Sequence, residues 1–331
     1  MENPSASEVK PTFFHSEEWI GLLQDVYSYR RLDLNSKGFR IPLLRVGPLF
    51  GDRLVSIPFS DYGGPVGNVD ARRLKEECVE LLETTGADYV EVRVDNQNLV
   101  KTLLGHGFMP AATYFTRVVD THPEGGWEDA WKLSLDKKAR QGVVKAEKAG
   151  LSVTEVTEEE DVDAVYGVYF KCVKSIGSPC HPKTLFKSMK AKLGERAKIY
   201  LAKYGDRNVG MAVYLLGEDR AHLWARYALD EYKKLGVIYL LDWAGIKLAS
   251  TLKIKRFDFG RTRKNSGVEV YKHHWKGEDT EIHHLCLPRK RAVTPPDPAQ
   301  TNFKLYSKIW RILPDPLVEA IGPRVIKCIA L

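Results

Sequence analysis

The order strand, loop, helix, strand occurs twice in this chain, and the duplication narrows the available folds more than any other feature. Arg53 to Phe59 (RLVSIPF) reads as a strand, SDYGGPVGN as a loop, Asp70 to Thr85 as a helix, and Asp88 to Val94 (DYVEVRV) as a strand with period-two alternation. The second half repeats it. Ala221 to Leu229 (AHLWARYAL) reads as a strand, DEYKKLG as a loop, Val237 to Leu252 as a helix, and Arg256 to Phe259 as a strand. A helix between two strands is the crossover that lets the chain return parallel to itself. At 331 residues the chain is long enough for two ordinary cores. The expected fold class is therefore α/β (α+β), two modules in tandem, each a central mixed sheet with flanking helices. The expected division is 1–148, 149–292, and a 293–331 tail of linker and C-terminal helices that packs back on the body.

The segment between the modules, LDKKARQGVVKAEKAGL, reads as a helix capped by Asp136 and stopped by Gly150. Its cations Lys137, Lys138, Arg140, Lys145 and Lys148 fit either a solvated face or a phosphate contact. RKRAVTPPDPAQ (289–300) reads as a linker, followed by amphipathic helices over Phe303 to Ile312 and Leu317 to Ile329. Those two helices either pack back or make a peripheral membrane contact. No run of about 18 apolar residues occurs, so a spanning segment is not expected. Cys78, Cys172, Cys180, Cys286 and Cys328 show no paired spacing, which fits a reducing compartment and a cytoplasmic location. A net charge of +7 fits anionic partners.

The stretch FDFGRTRKNSGVEVYKHHW (257–275) runs from a strand into cations. Ligands of open α/β sheets bind at the carboxyl ends of strands, and the guanidiniums of Arg261 and Arg263 suit phosphate or carboxylate; equally, Arg261 could pair Asp258 or Asp61. Val268 to Trp275 alternates like a strand, and a turn at Gly277 would lead into Thr280 to Leu287. That register sets Lys272 opposite His283 and Tyr271 opposite His284, with Lys272, His274 and His283 on one face. Adjacent histidines then point to opposite faces and no carboxylate or cysteine completes a set, so no metal is expected. Asp61 and Asp95 are the carboxylates placed to act as a base, or else as loop and capping residues. Tyr62, Gly63 and Gly64 allow close backbone approach to a ligand, or form a tight turn. Ser178 beside Gly177 is similarly open between the two uses. No Ser-His-Asp or Cys-His arrangement has a recognisable local signature.

NQNLVKTLLGHGFMPAATYF follows the first strand, helix, strand unit. An asparagine-started helix, a Gly-Phe turn and a strand resemble the GCN5-related N-acetyltransferase (GNAT) fold. In that superfamily the crossover loop normally reads Gln/Arg-x-x-Gly-x-Gly/Ala and cradles the pyrophosphate of a CoA thioester. The loops here, DYGGPVGN and DEYKKLGVI, depart from it. A tandem pair with such loops resembles the Fem family of aminoacyl-tRNA-dependent peptidyltransferases, through SIPFSDYGGPVGN, DKKARQGVVKAEKAGLSV, YFKCVKSIGSPCHPKTLF, FDFGRT and VYKHHWKGE. No sustained heptads between 150 and 290 correspond to the coiled-coil arm of some members.

The resemblance implies an enzyme that transfers an aminoacyl group from aminoacyl-tRNA to an amine of an anionic nucleotide- or lipid-linked, cell-envelope or polysaccharide-related acceptor, without a cofactor. It places the contact to the aminoacyl end on Tyr271 and Lys272. The expected catalytic residues are Lys272, Asp95 and Asp61. The expected substrate-binding residues are Tyr62, Gly63, Gly64, Ser178, Arg261, Arg263, Tyr271 and Trp275. An acyl-CoA-dependent N-acyltransferase of the same fold, and a non-catalytic binder of an anionic glycan, lipid or nucleic acid, are the alternatives.

Overall fold

The computed structural model describes residues 6–158, 161–290 and 301–330. Fifteen strands are described: β1 (Ala6–Val9), β2 (Arg30–Arg31), β3 (Leu34–Asn35), β4 (Phe39–Ile41), β5 (Leu44–Val46), β6 (Arg53–Val55), β7 (Val66–Asp70), β8 (Tyr89–Val94), β9 (Met109–Asp120), β10 (Leu151–Glu155), β11 (Ala197–Tyr204), β12 (Arg207–Leu216), β13 (Arg220–Ala228), β14 (Arg256–Thr262) and β15 (Glu278–Pro288). Two compact units form. One comprises residues 1–114, 281–305 and 320–331, the other 115–280 and 306–319. The fold is α+β, mixed sheet with flanking helices, as the alternating periodicities predict.

In the first unit the sheet order is β15-β8-β6-β5-β2, with a smaller sheet β1-β7-β4-β3 beside it. Strands β6 and β8 are parallel, Arg53 opposite Tyr89, and the helix Ala71–Thr85 makes the crossover. That helix starts where Asp70 accepts from the Arg72 and Arg73 amides and stops at Gly86 in the left-handed region. Its apolar stripe, Leu74, Cys78 and Leu82, packs in a core with Val90, Val92, Leu99 and Leu103. The expected first strand is shorter than its sequence reading, because Ile57 and Phe59 turn to positive φ.

The second unit has the order β10-β11-β12-β13-β14-β9. Here β13 and β14 are the parallel pair and the helix Val237–Thr251 is the crossover. This helix is apolar nearly all round, so it is buried, with Leu241, Ile246 and Ala249 in a core that also takes Ala139, Val143 and Ala146 from the helix Lys137–Lys148. The expected DEYKKLG loop contains a single helical turn, Asp230–Lys233.

Two local expectations are corrected. Val268 to Trp275 is not a strand: Gly267–Lys272 is a short helix, so the hairpin register that put Lys272, His274 and His283 on one face does not exist. Ser266 accepts from the Glu269 amide at 3.2 Å and the Glu269 carboxylate takes the Asn265 amide, a capping arrangement that outweighs the alternation of VEVY. Gly277 is no hairpin tip either. A side chain there would collide with the Val118 carbonyl. The expected C-terminal helices are present as Thr301–Ile312 and Asp315–Ile329, while residues 291–300 of the expected 289–300 linker lie outside the described residues. No helix among the described residues is long and apolar enough to cross a membrane.

Candidate functional site

The parallel pair β13 and β14 holds register only over Arg220↔Arg256, Ala221↔Phe257 and His222↔Asp258. Beyond that point β13 continues with β12, and β14 with β9. The strands part at their carboxyl ends, the place where open α/β sheets take ligands. The sequence FDFGRT makes the parting. Gly260 sits at φ +69°, a conformation that suits glycine, and the β14–β9 register shifts between Asp258 and Arg261. Asp258, fully buried, accepts the Gly260 amide at 2.8 Å and the Thr116 hydroxyl. Burial opposes ionisation of Asp258, yet the His222 ring, the Arg220 guanidinium and the Thr116 hydroxyl together hold its carboxyl below the usual carboxylate range. The bulge thereby fixes the direction of the Gly260 carbonyl.

That carbonyl accepts from Thr116 Oγ1 at 2.8 Å and from the Lys272 ammonium. Lys272 is only 2% exposed. Its neighbour Tyr271 donates to Asp242 Oδ2 at 2.6 Å, and Arg226 donates to the same oxygen. The Arg226 guanidinium lies 5.1 Å over the Tyr271 ring, and the Tyr239 ring is 4.8 Å away. Burial pushes the Asp242 carboxyl above its ordinary value, opposed by Arg226, Tyr271 and Lys272. Burial, then the Asp242 charge, raises the Tyr271 phenol well above its usual range, so the hydroxyl remains a donor. Asp242 Oδ1 is buried without a hydrogen-bond partner among the described residues. The Arg226 guanidinium, the Tyr271 phenol and the Lys272 ammonium thus all act on the buried Asp242 carboxyl, a group of donors able to stabilise negative charge developing next to it.

Arg226 and Asp242 escaped the sequence reading, although each left a trace. Asp242 is a lone acid in the apolar run VIYLLDWAGI, and Arg226 a lone cation among the aromatics of AHLWARYAL. Among the expected residues of this unit, Arg261 lies half-buried on β14 opposite Thr116, and Arg263 just past the strand. Trp275 is wholly buried, its carbonyl taken by Arg117 Nε at 2.7 Å and its ring 5.3 Å from that of Phe259. Ser178 follows Gly177, which ends the helix Val162–Ile176, and its amide donates to the Val173 carbonyl at 3.1 Å.

The remaining expected residues stand in the first unit. Asp61, Tyr62, Gly63 and Gly64 belong to the loop after β6 and are buried; Asp95 follows β8 and is half-buried. This loop is strained. Ile57 and Phe59 hold φ of +53° and +57°, uncommon for such side chains, and the buried Arg93 pins them by donating to the Ser60 carbonyl at 2.8 Å. A side chain on Gly64 would press on the Arg93 carbonyl, and one on Gly63 on the Ser56 carbonyl, so both glycines serve close approach of the protein's own backbone. His15 Nε2 donates to the Gly64 carbonyl at 2.9 Å while His15 Nδ1 accepts the Thr12 amide at 3.0 Å. The bond accepted at Nδ1 requires the neutral ring, and burial lowers its pKa to about 4.

At the second crossover, Gly236 has φ +96° and precedes the helix Val237–Thr251. A side chain there would strike the Gly142 carbonyl of the helix Lys137–Lys148. The single glycine of that loop thus serves helix packing. Among the described residues no group of three or more histidines, cysteines or carboxylates could hold a metal ion.

A family model described as "Acetyltransferase (GNAT) domain" matches residues 134–273, within the second unit. FemX, as a crystal structure, is 12% identical, with 81% of this chain and 90% of that chain covered and a TM-score of 0.58. The C-terminal domain (DUF2156) of a putative lysylphosphatidylglycerol synthetase from Agrobacterium fabrum is 13% identical over 83% of this chain and 87% of that one, TM-score 0.58. L-PGS from Bacillus licheniformis is 12% identical over 92% and 99%, TM-score 0.55. No curated protein matches significantly. Likeness at such identities is likeness of fold, and the chain has a GNAT-superfamily fold.

Proposed function

We propose that this protein is an N-acyltransferase that moves an aminoacyl group from aminoacyl-tRNA to an amine of a nucleotide- or lipid-linked, cell-envelope or polysaccharide-related precursor. The observation that carries the reading is the grouping of Lys272, Tyr271 and Arg226 where β13 and β14 part, beside a crossover helix whose N-terminal glycine is occupied by packing. An aminoacyl ester is already activated, so alignment and charge stabilisation suffice. The acceptor nitrogen attacks the ester carbonyl and a C–N bond forms. Lys272 stabilises the oxyanion; the carbonyl re-forms as the C–O bond to the ribose breaks. The proton lost by the amine passes to the departing ribose oxygen. In the second unit Ser178, Arg261 and Arg263 are proposed to shape the substrate surface.

A peripheral membrane contact is proposed for the C-terminal helices, where Tyr306, Ile309, Ile312 and Leu317 are exposed, Ile312 by 81%. The match to an acetyltransferase-type model favours the second reading, an acyl-CoA donor. Calorimetric titration with acetyl-CoA and longer acyl-CoAs separates the two. Weak or absent binding is expected, and micromolar affinity would transfer the donor role to CoA.

A further inference from the structure

In the second unit a groove of about 530 Å³ opens along the helix Lys137–Lys148. Its walls are Trp131, Arg140, Gln141, Val144, Lys145 and Lys148. No acid lines it. Gln141, Val144, Lys145 and Lys148 share one helical face, because residues three and four apart are neighbours, while Ala139, Val143 and Ala146 face the core. Lys145 and Lys148 are exposed and make no ion pair among the described residues.

Helix electrostatics account for part of the cations: Lys145 and Lys148 suit a C-terminal turn, whereas Lys137 and Lys138 follow the Asp136 cap, where positive charge opposes the dipole. The indole is also held deliberately. Arg140 donates to the carbonyls of Leu135 at 2.8 Å and Lys132 at 3.2 Å, closing the helix Gly126–Leu133 that carries Trp131, and Trp131 packs edge-on against Trp243 at 5.0 Å.

An aromatic ring and lysines lining one concave groove are the combination that binds a single-stranded nucleic acid, the ring stacking a base and the ammoniums following phosphates. A lipid surface would instead require the apolar groups to protrude. We infer that this groove binds single-stranded RNA, Trp131 stacking on a base and Lys145 and Lys148 contacting successive phosphates. The inference deepens the reading above, in which RNA carries the acyl group.

The test is fluorescence anisotropy with a labelled 12-nucleotide single-stranded RNA, with the full chain, as a function of salt. Neutralising both contacts in Lys145→Gln/Lys148→Gln should lower the salt slope by about 1.4 and weaken binding about 25-fold at 0.1 M salt. Trp131→Leu should weaken binding on the order of tenfold with an unchanged slope. Melting curves confirm that this variant is folded. The control Lys234→Gln/Lys255→Gln should leave both quantities near wild type. Equal losses in control and groove variants, or no loss in the groove variants, would overturn the inference. So would groove variants that bind RNA normally but no longer cosediment with phosphatidylglycerol vesicles. Binding of uncharged RNA is measured without transfer, so an inactive donor and an unused groove give separable results.

Discussion

Replacing Lys272 by methionine keeps the length of the side chain and removes the ammonium. The lost contact is a charged donor on the Gly260 carbonyl, and such bonds contribute about 1.5–3 kcal/mol. The Gly260 carbonyl keeps Thr116 Oγ1 at 2.8 Å, whose single proton it shares with Asp258. Methionine fills the volume, so no cavity term adds. For a unit of this size the loss corresponds to a melting shift of roughly 3–12 °C. The unit stays folded at 25 °C. Removing an oxyanion contact costs about 10²- to 10³-fold in kcat, far more than the unfolded fraction could account for. Lys272→Arg should rescue poorly, since a planar fork cannot occupy a buried site shaped for a compact ammonium. Calorimetry gives the melting shift. Loss of label from aminoacyl-tRNA in the presence of amine acceptors gives the rate. A Lys272→Met protein with the predicted melting shift and wild-type rate per folded molecule would refute a catalytic Lys272 and leave it as a brace for the bulge.

Tyr271→Phe and Asp242→Asn should each destabilise the second unit, and their double-mutant cycle should show a coupling of about 1–2 kcal/mol, because one 2.6 Å bond joins them; additive effects in urea titrations would contradict the network. Gly260→Ala places a β-carbon at φ +69° and should cost about 1–2 kcal/mol in the same titrations, with activity falling further because the carbonyl aimed at Lys272 moves. For His15, the ordinary value of 6.5 falls to about 4 in the fold, so the unfolded chain binds the proton first. Its stabilising contribution is therefore full above pH 6.5 and is lost as pH falls towards 4, by about 2 kcal/mol at pH 5. In His15→Gln the pH dependence of melting should flatten across that window.

What the sequence reveals about this molecule follows from how local each determinant is. Both crossover units are legible since a strand's alternation and a helix's stripe are short-range patterns, and Asp136 caps its helix through the Ala139 amide as its position predicts. The helix Gly267–Lys272 is misread because VEVY satisfies the strand period over four residues while the deciding contacts, Ser266 to the Glu269 amide and Glu269 to the Asn265 amide, are side-chain bonds that periodicity ignores. The strained Ile57 and Phe59 likewise owe their backbone to Arg93, more than thirty residues away, so nothing local announces them. The Tyr271–Asp242–Arg226 network unites three elements. Its two missed members become visible only after β13, the crossover helix and the segment following β14 are brought together.

The donor decides the account. The most direct measurement offers the protein radiolabelled aminoacyl-tRNA and, separately, radiolabelled acetyl-CoA, each with the same panel of amine-bearing nucleotide- and lipid-linked acceptors. Amide product is then quantified for the wild type and Lys272→Met. The account predicts product from aminoacyl-tRNA, its loss in Lys272→Met, and none from acetyl-CoA. Product from acetyl-CoA alone, in either protein, would contradict it.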